Sequence, residues 1–409
     1  MLGGPEVRDS MPQVNPEILV WARETAGLSL EDAAKKLALT ENSDRGAAVR
    51  LKEFETGDVS PSTAVLSRMS KTYRRSLLSF YLSAPPAKAS RGHDFRLLPQ
   101  RHTVDEPLVD VLVRDIRARQ SMVRSILEDD EDAKPNTFVG SVNTASSVEQ
   151  VAAALQGVFA IDIPSYRRQP TVEAGFEYLR SKAESAGVFV LLIGNLGNYR
   201  TNLAIEAFRG FALADNLAPF VVINDQDAKS AWSFTLLHEL SHLLLGETGI
   251  SGARTNSKIE MLCNDAASIL LVPQNEIVEL GPDVGKAFDA DVSHITKFCR
   301  QRLVSRSMVA YRLFKSGRIG EAEWQQLTEH FRREWYALKE KLKEKQKAKE
   351  KDGGPNYYVI KRHRIGHALL IFVERGMQTG ILTPTKAGKV LGVKPRSVAH
   401  LLAPPLQAA

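Results

Sequence analysis

The segment His238-Glu-Leu-Ser-His242 sets two imidazoles four residues apart with a carboxylate next to the first. On an α-helix this spacing leaves the two rings about 40° apart around the axis and one turn along, so both can reach a single metal ion. Glu239 projects beside them, where it can orient a water molecule and take its proton without being a ligand. The neighbouring positions Phe234, Leu236, Leu237, Leu240 and Leu243–Leu245 are apolar. Histidines packed among them without partners would be costly, and a metal ion removes that cost. The plain alternative is an amphipathic helix with two packed or exposed histidines.

A catalytic zinc site needs three protein ligands and one open position. The extended HExxHxxGxxH pattern is absent, because Gly246 stands four residues after His242 and the next histidine is His294. A predicted helix Ile259–Leu271 offers Glu260 instead, after a loop long enough to lay it alongside the first helix, as in zincins whose third ligand is a glutamate. Glu247 is the rival ligand, just past the glycine that closes the first helix. Asn264, one turn beyond Glu260, is placed to hydrogen-bond a ligand histidine. Two imidazoles and a carboxylate favour zinc over manganese or iron. In such a site the ion acidifies water and polarises a carbonyl, while Glu239 acts as general base and passes the proton to a leaving amine. Tyr311, Arg312 and His294 are candidates for stabilising the transition state, each with a structural alternative.

The elements that must position these groups follow from local pattern. An apolar helix Ala231–Leu245 carries the two histidines. Ahead of it, helical stretches Val148–Val158 and Val172–Ala186 precede a buried strand between Gly187 and Gly194, and strand-like runs at Phe208–Leu213 and Phe220–Asn224. Either of the last two could pair with an extended peptide as an edge strand. Near the N-terminus four or five short helices are expected: Pro16–Ala26, a second opened by Ser29 and Asp32, Ala47–Glu55 closed by Gly57, and one from Pro61 towards Leu82. They have the outline of a helix-turn-helix module or of any small helical bundle. Ser83–Arg91 reads as a linker, Val104–Leu127 as a helix, and the charge-dense stretch after Glu321 as a solvated extension. Tyr357–Leu402 reads as a separate small helical unit with Thr383 as an N-cap, either a second helix-turn-helix or a cap on the central domain.

The chain has 409 residues and 45.2 kDa, with 43% apolar and 25% charged residues, which points to two or three folded units and away from a disordered or membrane-embedded protein. Two cysteines, Cys263 and Cys299, rule out a disulfide scaffold and suit a reducing cytoplasm. No basic leader with an apolar stretch opens the sequence, so a cytoplasmic protein without a membrane partner is expected. The net charge of +6 is unevenly spread. Residues 1–85 are neutral, with 11 basic and 11 acidic groups, whereas residues 355–409 hold 8 basic groups and one acidic.

These pieces resemble the ImmA/IrrE family of metallopeptidases in its long form with an N-terminal Xre-type helix-turn-helix. The resemblance runs through Trp21-Ala-Arg-Glu-Thr-Ala-Gly27, Phe54-Glu-Thr-Gly57, Asp94-Phe-Arg96, Phe208-Arg-Gly-Phe211 and Pro219–Asn224. It continues with Phe234–His242, Glu260–Ala267, Leu270-Leu-Val-Pro273 and Val304–Leu313. It implies one zinc ion per chain held by His238, His242 and Glu260, with Glu239 as the catalytic glutamate. It further implies site-selective cleavage of a regulatory protein, usually a DNA-binding repressor, that switches on stress-response or mobile-element genes. Two features depart from the pattern. Extra residues around Thr40–Gly46 lengthen the connection between the second and third helices, and the basic C-terminal unit is additional.

The expected architecture is therefore multidomain and mostly α. It has a helix-turn-helix bundle at 1–85, a linker and helical connector at 86–147, and an α+β zincin-like metallopeptidase core at 148–320. A charged helix or linker at 321–354 and a small basic helical unit at 355–409 complete it. DNA is a candidate partner, through Arg45, Arg50 and Lys52 in the first unit or Lys394 and Arg396 in the last. Two other functions compete: a transcription regulator whose peptidase-like domain senses a ligand or metal, and a partner-binding component of a toxin–antitoxin or phage-defence locus. An intact Glu239 favours the peptidase, since a sensor needs the ligands and not the base.

Overall fold

The computed structural model describes residues 13–39, 46–86, 106–197, 201–247, 257–280, 284–285, 287–349 and 356–403. The chain divides into two compact units, the first with the described residues up to Val113 and the second with those from Arg114 onward.

In the first unit, α1 (Pro16–Thr25), α2 (Leu30–Lys36), α3 (Ala47–Thr56) and α4 (Thr63–Tyr73) are followed by a 3-10 turn at Leu77–Tyr81. Their starts are where the sequence signals put them, but the fourth helix, expected to run towards Leu82, stops at Tyr73, where Arg74 turns left-handed at φ 52°. Asn15, Ser29 and Ser62 accept first-turn amides of α1, α2 and α4, and Gly57 ends α3 in the left-handed conformation. Ile18, Leu19, Leu51, Phe54, Met69 and Phe80 form a closed apolar core. Arg23 ties α1 to α3 by donating to both Glu55 oxygens at 2.8 and 3.1 Å. Lys52 is exposed and Arg50 half-buried on α3, while Arg45 and most of the expected insertion fall outside the described residues.

The second unit takes over within α5 (Glu106–Glu128) and continues through α6 (Val148–Val158), α7 (Ile163–Arg167), α8 (Val172–Ser185), β1 (Phe189–Leu192), β2 (Gly210–Leu213), β3 (Phe220–Ile223), α9 (Lys229–Leu244), α10 (Ser257–Leu271) and α11 (Gln274–Val278). Then come α12 (Phe288–Arg302), α13 (Arg306–Lys315), α14 (Glu321–Lys349), α15 (Tyr357–Ile365), α16 (His367–Gln378), α17 (Pro384–Leu391) and α18 (Val398–Leu402). Helices dominate, and the only named sheet among the described residues has the order β1-β3-β2, with β1 parallel and β2 antiparallel to β3. The core runs from Val151 and Phe176 through Val190, Val221 and Leu236 to Leu313 and Phe331. No helix among the described residues is long and apolar enough to cross a membrane.

Two stretches pack more closely than their composition implies. The first half of α14 buries Leu327 and Phe331, and Trp324 stacks on Phe314 at 4.8 Å; farther along, Leu338 and Leu342 are exposed, as expected of a solvated extension. The segment after Tyr357 is packed onto β1 and α8. Arg180, only 2% exposed, donates to His363 O and Val190 O at 2.6 Å each, and lies 3.4 Å from Glu184. Glu184 in turn accepts the amides of His367 and Ala368, which opens α16. Arg364 pairs with Asp225 at 2.6 Å. The contacts made by His363, Arg364, His367 and Ala368 join residues more than a hundred positions apart, which local periodicity does not register.

Removing one partner of a buried ion pair leaves the other charge uncompensated. Arg180→Met is therefore expected to cost about 3–5 kcal/mol in chemical denaturation of the full chain, with Glu184→Gln in the same background recovering part of it. Equal stability of wild type and single variant would show that the clamp carries no weight.

Candidate metal centre

The α9 helix is buried on nearly every side: Trp232, Leu236, Leu237, Leu240, Leu243 and Leu244 are enclosed, and so are His238, Glu239 and His242, each at 0% exposure. A helix apolar all round belongs at the centre of its domain. Helices α8, α6 and α10 and strands β2 and β3 surround it. Ser241 satisfies its hydroxyl within the helix, on Leu237 O at 2.9 Å. The end of the helix is sealed by an earlier segment, where Gly140 N and Val142 N donate to Leu243 O and Leu244 O at 3.1 and 2.9 Å.

The two imidazoles meet through their Nε2 atoms, 3.1 Å apart. Glu260, in the first turn of α10, brings Oε2 to 3.4 Å from His238 Nε2 and Oε1 to 3.5 Å from His242 Nε2. Ligands about 2.0–2.1 Å from one ion at tetrahedral angles stand about 3.3 Å from one another, so three donors at these separations fit a shared cation. The donor set of two nitrogens and a carboxylate fits a borderline-soft divalent metal. Among the described residues this is the group of His, Cys, Asp and Glu side chains able to hold a metal, and Glu247 is not in it.

Residues 200–314 match the model of the IrrE N-terminal-like domain, Peptidase M78. The central part of the chain is thus a peptidase-family domain of the metallopeptidase type, and the match contains β2, β3, the three converging residues and Glu239. No curated protein matches the chain.

The remaining sequence candidates are placed as follows. Asn264 lies one turn beyond Glu260 on α10, half-buried. Tyr311 donates its hydroxyl to Asp265, whose other oxygen pairs with Lys315 at 3.0 Å, and Arg312 donates to Gln274 at 2.9 Å. His294 is exposed on α12. None of these three contacts identifies a transition-state stabiliser. Of the two candidate edge strands, Phe220–Asn224 supplies the central strand β3 and Phe208–Leu213 the outer strand β2, so the edge position belongs to the latter.

Two residues were not singled out by sequence reasoning. Gly210 opens β2 opposite Ile223, and a Cβ there would lie 2.6 Å from Glu239 Oε1 and 2.7 Å from Thr235 Cγ2. The Glu239 carboxylate rests against the main chain of the edge strand, and only glycine leaves it room. A glycine inside the strand-like run Phe208–Leu213 was the available signal, since glycine weakens strands and marks close approaches. Asn224, fully buried, donates to Leu203 O and Phe208 O at 3.2 and 3.0 Å and accepts from Gln226 N at 3.0 Å. It fixes the loop that leads into Gly210.

Gly210→Ala is expected to keep the metal content of the wild type while displacing the Glu239 carboxylate, which a crystal structure of the variant would register. An unmoved carboxylate would show that the glycine serves the strand alone.

Proposed function

We propose that this protein is a zinc-dependent endopeptidase that cleaves a regulatory protein, such as a DNA-binding repressor, and so controls transcription of stress-response or mobile-element genes. The observation that carries this reading is the meeting of His238 Nε2, His242 Nε2 and the Glu260 carboxylate at tetrahedral spacing, beside a buried glutamate outside that group. The peptidase family match supports the reaction class. The substrate class rests on the resemblance to ImmA/IrrE peptidases.

His238, His242 and Glu260 would hold the ion and leave a position for substrate. When bound, zinc supplies Lewis-acid polarisation of the scissile carbonyl and lowers the pKa of water. Glu239 takes a proton from the attacking water at its carboxylate and delivers it to the leaving nitrogen. Its seat against Gly210 holds that carboxylate beside the strand along which an extended substrate segment would pair, main chain to main chain. Asn264 orients a ligand imidazole. A metal sensor or binding scaffold would need the three ligands and would have no use for Glu239. A reducing cytoplasm suits the two cysteines, which are buried and form no disulfide.

The purified protein is expected to carry about one zinc ion per chain, and the combined change His238→Ala, His242→Ala, Glu260→Ala to remove it. Metal content indifferent to all three changes refutes the site. Co-expression with the repressor encoded beside the gene is expected to deplete full-length repressor with the wild type and spare it with Glu239→Gln, a change that keeps the side chain's size. Equal repressor levels with both proteins would overturn the peptidase reading.

A further inference from the structure

The last described segment holds a helix-turn-helix-like geometry that the peptidase chemistry does not use. Thr383 caps α17 by accepting Lys386 N–H, and the helix ends at Gly392, which is left-handed at φ 64°. After two intervening residues a 3-10 turn, Pro395–Ser397, leads into α18. A Cβ at Gly388 would lie 2.9 Å from Val393 O and 3.2 Å from Pro395 N. The smallest residue thus lets the turn fold tightly back on the first helix, and a left-handed glycine starts that turn. Two short helices joined by a three- or four-residue glycine turn are the form in which proteins present a helix to a DNA groove. The inner faces close on Ala387, Val390, Leu391, Val398 and Leu401, all buried.

The outer face is cationic. Lys386, Lys389, Lys394 and Arg396 are exposed, and no ion pair among the described residues engages any of them. The first two lie one turn apart on α17, the third in the turn and the fourth in the element that follows. Arg364, in contrast, is directed inward to Asp225. Between Thr383 and Ala403 no large hydrophobic residue is exposed, and the nearest exposed one, Ile381, precedes the cap of α17, so the helix and its turn carry no aromatic or aliphatic anchor of the kind around which protein interfaces are built. A row of unpaired cations without an apolar anchor complements a line of phosphates.

We propose that α17 and the turn after it form a docking face for duplex DNA, with Lys386, Lys389, Lys394 and Arg396 on the phosphate backbone. This binding is independent of the metal centre. Of the two sets of candidate DNA contacts, it takes Lys394 and Arg396 in the last unit over Arg45, Arg50 and Lys52 in the first, which lie in a neutral segment.

The test is fluorescence anisotropy of the full-length protein with a labelled mixed-sequence DNA duplex across a salt series. Each phosphate contact contributes about 0.9 to the slope of log affinity against log salt, so Lys386→Ala, Lys389→Ala, Lys394→Ala, Arg396→Ala together should lower that slope by about 3–4 and weaken binding more than tenfold. Arg50→Ala with Lys52→Ala should leave both quantities as in the wild type. Polyglutamate serves as competitor: displacement of the duplex at equal charge concentration would mean an acidic polypeptide partner and overturn the DNA assignment. So would absence of duplex binding by the wild type, or an unchanged slope in the fourfold variant. Should the fourfold variant melt early, the exposed single changes Lys394→Ala and Arg396→Ala give the same reading at about 0.9 each.

Discussion

Everything in the second unit answers to one constraint, the burial of a polar motif on a helix that has no outward face. His238, Glu239 and His242 lie at 0% exposure within α9. Side chains of this kind are tolerated inside a protein only where partners meet them. One partner comes from α10 as Glu260, which approaches both imidazoles. A different kind of accommodation comes from β2, whose first residue has no side chain and so makes room for the Glu239 carboxylate. The sheet is small, yet its order follows from this demand: β3 occupies the centre, and β2 is free to lie along α9.

The site is accordingly a product of two sequence regions with different duties. Residues 234–264 supply the chemistry, and residues 203–224 supply its floor. Asn224 connects them physically, since its side chain holds the loop that precedes Gly210 while its own position at the end of β3 leads into α9. The family match over residues 200–314 covers both regions. A carboxylate held against main chain rather than against another side chain has little freedom to drift, and tight placement of reacting groups is worth several kcal/mol in a barrier.

Much of this was legible before any coordinates. The HExxH spacing specified a helical pair of imidazoles, and the strand-like runs and glycine or serine boundaries specified most elements, because these depend on neighbours within a few residues. Glu260 over Glu247 was readable from the geometry of a helix that has already ended. Strand order, Gly210 and Arg180 were not, since each acquires its role through a partner far along the chain: Ile223 and Glu239 for the glycine, His363 for the arginine. The short helix α7 also escaped the pattern; five residues are too few for apolar periodicity to show. For the C-terminal segment the pattern left two equal options, a helix-turn-helix or a cap. The structure lays α15 and α16 against β1, with α17 packed on α16, α18 on α15, and the turn at Gly392 against Arg119 of α5.

The clamp around Arg180 has a consequence for the integrity of the molecule. Its bonds run from α8 to the main chain at His363, and Glu184 reaches the first amides of α16, so the attachment of the last helices is independent of the covalent path through α14. A single nick between Lys349 and Asn356 would then yield two fragments that stay together under native conditions and separate only when denatured. The C-terminal helices behave in this respect as a non-covalently retained subunit that happens to share a chain with the domain it covers.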